Sequence, residues 1–88
     1  MGRSILVTGA LGQIGAELVP ALRARHGPER VIASDIRMPP TGAAVATAGP
    51  FEHLDCTSMR EIQEVARRHG VGAIYHLGAL LSASAEER

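Results

Sequence analysis

Apolar side chains follow two rhythms along this chain: short unbroken runs, and longer stretches in which they recur every three or four positions. Ile5, Leu6 and Val7 sit side by side without alternation within residues 3–8, as in a parallel strand covered on both faces. Residues 12–26 then place Ile14, Leu18 and Leu22 on one helical stripe, with Glu17, Arg23 and Arg25 toward water. Pro20 removes one hydrogen bond from that helix and predicts a kink, cheapest if it opens on the solvent side. Gly27-Pro28 is a stop signal, and the next apolar run, Val31 to Ser34, forms a second strand that ends at Asp35. Residues 36–50 are rich in Pro, Gly, Ala and Thr and poor in large apolar groups, which predicts a mobile loop.

A short third strand over residues 51–54 closes on Asp55. Thr57 or Ser58 is the N-cap of the helix that follows, Glu61 completes a capping box with Ser58, and Met59, Ile62, Val65 and Ala66 form the inward stripe. His69-Gly70 ends that helix, residues 71–77 make a fourth strand, and residues 78–82 turn beyond it. Ser84-Ala85-Glu86-Glu87 either opens another helix through a second capping box or is a frayed polar terminus. Strands alternating with helices predict an α/β fold: a partial Rossmann fold with right-handed crossovers, a four-stranded parallel sheet in the order 3-2-1-4, and helices on both faces.

Between the first strand and the first helix, glycines fall as Gly9-x-x-Gly12-x-x-Gly15. Gly9 permits the tight turn out of the strand, Gly12 lets backbone approach a pyrophosphate, and Gly15 lets helix pack close on sheet. The unpaired N–H groups at that helix start then present positive charge to a phosphate. Such a pattern also arises from packing alone. Its position after an apolar run and before a helical one, together with Asp35 twenty positions beyond Gly15, points to a dinucleotide cradle.

Bulk properties narrow the surroundings. At 88 residues the chain is one domain or part of one, burying only about 60–65% of the surface its unfolded form exposes. Formal charge is zero, so neither nucleic acid nor an anionic membrane is favoured as a partner. The single Cys56 excludes an internal disulfide, no apolar run approaches the eighteen or so residues of a membrane span, and no signal peptide precedes Ile5; the expectation is a cytoplasmic protein. All nine basic residues are Arg, and Lys is absent.

Asp35 is placed to accept both hydroxyls of the adenosine ribose of NAD, selecting against a 2′-phosphate. Arg37 is either a solvated loop charge or a partner for that phosphate. Asp55 either meets the adenine edge, with the Cys56 backbone beside it, or caps the next helix. His26, His53, His69 and His76 lack the spacing of a metal motif and read as structural or surface groups. Tyr75, within an apolar strand, is expected to be buried with its hydroxyl bonded, whereas Ser82 follows a strand's carboxyl end, where ligands of open α/β sheets bind.

These residues resemble a known family. Thr8-Gly9-x-x-Gly12-x-x-Gly15, Asp35, Asp55 and His76-Leu77-Gly78-Ala79 are similar to the extended short-chain dehydrogenases/reductases, the NAD-dependent epimerase/dehydratase group. Residues 5–15, Ser34-Asp35-Ile36-Arg37 and residues 76–83 look most like the amino-terminal portion of epimerase-type L-threonine 3-dehydrogenases. By that resemblance Gly9, Gly12, Gln13, Ile14 and Gly15 hold the pyrophosphate of NAD, Asp35 and Ile36 the ribose, and Asp55 and Cys56 the adenine. Leu77, Gly78 and Ala79 line the cofactor, and Ser82 faces the substrate. Gly78 stands where the family usually carries Ala. Catalysis in the family resembles a Ser/Thr plus Tyr-x-x-x-Lys set, which this chain lacks: it has no Lys, and Ala79 lies four after Tyr75. The resemblance therefore implies a cofactor-binding portion of a threonine-oxidising enzyme, or of a nucleotide-sugar epimerase or dehydratase, with no catalytic residue and no substrate domain in these 88 residues. A free-standing or split module is the alternative, completed by a missing carboxyl-terminal half or by self-association through the fourth strand's open edge.

Overall fold

Leu6 and Val7 are adjacent in sequence yet point to opposite faces of a sheet, and each anchors one half of the core. The computed structural model describes residues 3–77. In chain order they form β1 (Ser4–Thr8), α1 (Gln13–His26), a 3-10 turn (Pro28–Arg30), β2 (Val31–Asp35), α2 (Ala44–Thr47), β3 (Phe51–His53), α3 (Met59–His69) and β4 (Val71–His76). The strands pair in parallel in the order β3-β2-β1-β4, as the alternation of elements predicts.

On one face Val7, Ala10, Val19, Leu22, Val31 and Ala33 pack beneath α1, joined at the margin by Val45 and Phe51. On the other, Leu6, Ile32 and Leu54 meet Ile62 and Val65 of α3. β2, flanked by strands on both sides and covered on both faces, is buried throughout. α3 begins as predicted, with Ser58 Oγ accepting the Glu61 amide at 3.2 Å, but Glu61 Oε1 reaches past Ser58 to accept the Asp55 N–H at 2.9 Å. The Ser58 amide is already taken by the Asp55 carbonyl at 2.9 Å.

Several expectations fail for physical reasons. The buried stripe of α1 is Gly15, Val19, Leu22 and Arg23; Ile14 is 52% exposed, because the contact at Gly15 sets the rotation of the helix on the sheet. In α3 the inward pair is Ile62 and Val65, while Met59 in the first turn stays exposed. Tyr75 is 41% exposed, not buried, since among the described residues β4 lies at the sheet edge, paired only with β1. The predicted mobile loop contains α2 and is pinned by Arg23, the residue expected to face water. The helix start or frayed terminus expected at Ser84 falls outside the described residues.

Arg23 lies beneath α1 with its guanidinium spread over backbone carbonyls. Nε and Nη2 donate to Val31 O at 3.2 and 3.1 Å, Nη1 to Val45 O at 2.9 Å, and Nη2 also to Pro50 O at 2.7 Å. It serves where the ladder has not yet formed, since β3 pairs with β2 only from Ala33 onward. Gly49 leaves the room: a methyl there would stand 2.6 Å from the Arg23 guanidinium carbon. Burial without a carboxylate partner lowers the Arg23 pKa from its ordinary value. Arg23→Met should cost about 2–4 kcal/mol by leaving carbonyls unpaired under the helix, lowering the melting midpoint by on the order of 10 °C in calorimetry.

Candidate functional site

In the order β3-β2-β1-β4 the chain turns outward from β1 in two directions, so the carboxyl ends of β1 and β4 flank the crevice where open α/β sheets take ligands. Thr8 and His76 end these two strands, with Thr8 Oγ1 3.0 Å from His76 Nδ1. The chain leaves β1 through Gly9 at φ 71°, a left-handed turn that glycine takes without strain, and Gly12 N donates back to Gly9 O at 3.1 Å. Gly15 sits on this elbow so closely that a methyl group on it would lie 2.7 Å from Ala10 Cα and from the carbonyls of Gly9 and Ala10. The glycine pattern therefore has a steric basis at its two ends.

α1 opens at Gly12, its N-cap, and no side chain caps it. Its first helical hydrogen bond runs from Ala16 N to Gly12 O at 2.9 Å. The amides of Gln13, Ile14 and Gly15 thus stand ahead of the helical ladder at its positive end. Gln13 and Ile14 are exposed beside the crevice.

Asp35 ties this elbow to the end of β2. Its Oδ2 accepts the Leu11 amide at 2.9 Å, and the neighbouring Ser34 carbonyl accepts the Ala10 amide at 2.9 Å. Oδ1 accepts the Arg37 amide at 2.9 Å and Nε at 3.1 Å, while Arg37 Nη2 reaches Oδ2 at 3.3 Å. Burial raises the Asp35 pKa, yet the bonds from the Arg37 side chain and amide, from the Leu11 amide, and the guanidinium charge together hold it below the usual carboxylate value. The carboxylate is only 4% exposed, whereas its guanidinium partner is 62% exposed. Ile36 projects into solvent beside the pair, its carbonyl accepting from His53 Nε2 at 2.7 Å across the end of β3.

The other sequence-predicted residues separate into two groups. Asp55 makes a local turn ahead of α3, with Oδ1 accepting the Thr57 amide at 2.9 Å and its hydroxyl at 2.7 Å, while Ser58 caps the helix itself. Those two bonds hold its pKa below the ordinary value. Cys56 beside it is a free, partly buried thiol, and Leu77 packs against the core beneath α1. Gly78, Ala79 and Ser82 lie outside the described residues. One participant escaped sequence reasoning: Leu11 acts through its backbone, which leaves no sequence signal. Arg37, read as a solvated loop charge or a partner for a 2′-phosphate, pairs with Asp35, two residues away.

A profile of the NAD dependent epimerase/dehydratase family matches residues 5–88. An epimerase/dehydratase of uncharacterised activity from Staphylococcus epidermidis is 46% identical over 86 residues, spanning 98% of this chain and 27% of that protein. Among solved structures, L-threonine dehydrogenase from Clostridium difficile superposes with a TM-score of 0.77 at 44% identity, covering 84% of this chain and 23% of that one. The GalE-like L-threonine dehydrogenase from Cupriavidus necator, in its holo form, gives 0.75 at 41% identity over 85% of this chain and 23% of its own. The chain thus spans about a quarter of the length of the relatives it matches.

The bonds at Asp35 set an acid response. Its folded pKa lies below the unfolded value near 3.8, so its contribution to stability is complete above that value and is lost as pH falls through the folded pKa. Urea unfolding should show Asp35→Asn less stable than the parent at pH 7 and pH 5, with the gap closing toward pH 3. A gap that stayed constant over that range would contradict the assignment.

Proposed function

This chain belongs to the NAD dependent epimerase/dehydratase family, and we propose that it is the amino-terminal, cofactor-gripping portion of an oxidoreductase of the L-threonine 3-dehydrogenase kind, acting on the threonine hydroxyl to give 2-amino-3-oxobutanoate. The observation that carries this reading is the uncapped start of α1, locked by Gly15 and by the Leu11–Asp35 bond onto the end of β2. The named neighbours supply the substrate class, since L-threonine dehydrogenases recur among the structures it resembles at 41–44% identity.

Each residue then has a task. Gly9 and Gly12 bring backbone up to the pyrophosphate, and the Gln13, Ile14 and Gly15 amides donate to it. Asp35 receives the adenosine ribose hydroxyls, Ile36 covers the sugar, and Asp55 with Cys56 borders the adenine. Leu77, Gly78 and Ala79 continue the wall beyond β4, and Ser82 faces the substrate. The bound nicotinamide supplies hydride transfer. No Lys is available in these 88 residues to lower the pKa of a catalytic tyrosine, so the chain binds cofactor without completing the reaction. A lone thiol and neutral net charge suit a cytoplasmic setting, and no helix among the described residues is long and apolar enough to cross a membrane.

Isothermal calorimetry should detect NAD binding, and Asp35→Ala should weaken it roughly ten- to hundredfold, as loss of charge-assisted hydrogen bonds to the ribose requires. The same polypeptide mixed with L-threonine and NAD should form no NADH by absorbance. Failure of the folded chain to bind NAD or NADH at millimolar ligand would end this reading.

β4 favours a second reading, a split module whose later strands arrive on another chain. Its outer edge has no partner strand among the described residues, and Ile74 and Tyr75 are 45% and 41% exposed beside it. In that case sedimentation should show self-association or capture of a complementing half. A monodisperse monomer whose β4 amides exchange as slowly as those of β2 would refute it.

A further inference from the structure

The crossover from β2 to β3, residues 36–50, carries a single turn of helix, α2, built from Ala44-Val45-Ala46-Thr47. Side chains this short cannot span the gap to α1. A cavity of about 730 Å³ is left between them, walled by Ala16, Pro20 and Ala24 of α1 and by Ala44, Val45 and Ala48 of the crossover. That volume is ample for a small molecule. The cavity lies apart from the crevice: it touches the back of the elbow at Leu11 and Gly15, while Thr8, Asp35 and His76 take no part in its walls.

Among the described residues the one charged group lining this cavity is Arg23, itself 6% exposed. The carbonyls of Val31, Val45 and Pro50 engage four of its N–H groups and leave the second N–H of Nη1 over. Carbonyls hold the guanidinium in place without neutralising it, and no acid pairs with it among the described residues. An apolar cavity with an unneutralised cation in its wall favours a molecule of matching polarity, an anionic head on an apolar tail. Arg23 stands eight residues beyond Gly15 on α1, about 12 Å of helix rise, which sets the room for an extended tail.

The geometry points to a second ligand site, in which a medium-chain fatty acid lays its tail along α1 and sets its carboxylate against Arg23. This assignment stands independently of the dinucleotide reading. A carboxylate gains a charge-assisted bond that an alcohol of equal length forgoes, and an ammonium head meets repulsion at the same place.

The test is an NMR titration of the folded, isotope-labelled chain with decanoate below its micelle concentration, beside decanol and decylamine as uncharged and cationic controls. Decanoate should shift the methyl signals of Ala24 and Ala44 and bind at least roughly tenfold more tightly than decanol, with decylamine weaker than either. Shortening the acid to octanoate should weaken binding about tenfold, as the loss of two buried methylenes requires. Ala24→Leu and Ala44→Leu, at exposed positions on the two walls, should keep the parent's circular dichroism and weaken decanoate at least about tenfold by filling the cavity. Saturating NAD should leave the decanoate shifts in place. Equal affinity for decanol and decanoate, unchanged binding in both filled variants, or no shift at Ala24 and Ala44 with millimolar decanoate would each overturn the proposal. Competitive displacement of decanoate by NAD would put the acid in the crevice and overturn it as well, whereas a folded chain that binds decanoate and no dinucleotide overturns only the dinucleotide reading. Should a filled variant fail to fold, the decanol comparison and the shifts in the parent decide the matter.

Discussion

One hydrogen bond, from the Leu11 amide to the buried Asp35 carboxylate, joins the two segments that face the crevice. With it, and with Ala10 N on Ser34 O alongside, the elbow and the strand end form one rigid corner. The close seat of Gly15 on Ala10 completes that corner from the helix side and fixes which face of α1 turns inward. A carboxylate in this position has an architectural task before any ligand arrives, and a charged acceptor of backbone N–H performs it more strongly than a neutral one.

Chain order and strand order were legible because they rest on short-range patterns. Unbroken runs such as Ile5 to Val7 and Val31 to Ser34 have little choice but to become covered parallel strands, and the glycines at 9 and 15 announce a turn and a close helix contact that the structure contains. What stayed hidden depends on rotation and on distant partners. A stripe of Ile14, Leu18 and Leu22 is as regular as the true one, and only the tight contact at Gly15 decides that Val19 goes inside instead of Ile14. Arg23 could not be placed from pattern, because its partners are carbonyls 8 to 27 positions away. Tyr75 misled for a related reason: an apolar strand is buried only when something lies over it.

The candidate site was read more fully than the core around it. Glycine spacing and an acid at the end of the second strand belong to one contiguous corner, and sequence distance translates directly into space there. The adenine end was harder. Asp55 had two tasks open to it, and its bonds from Thr57 form a local turn ahead of Ser58, the residue that caps the helix. Capping and ligand contact draw on the same short polar side chains at the same strand ends, so the pattern alone does not separate them.

Arg23 and Asp35 fasten opposite ends of the same crossover, residues 36–50, by bonds of different kinds. The Asp35 fastening at the front is made to a group that can take up a proton, while Arg23 at the back is bonded wholly to carbonyls of Val31, Val45 and Pro50, which do not titrate. Acidification therefore loosens the front latch and leaves the rear one shut.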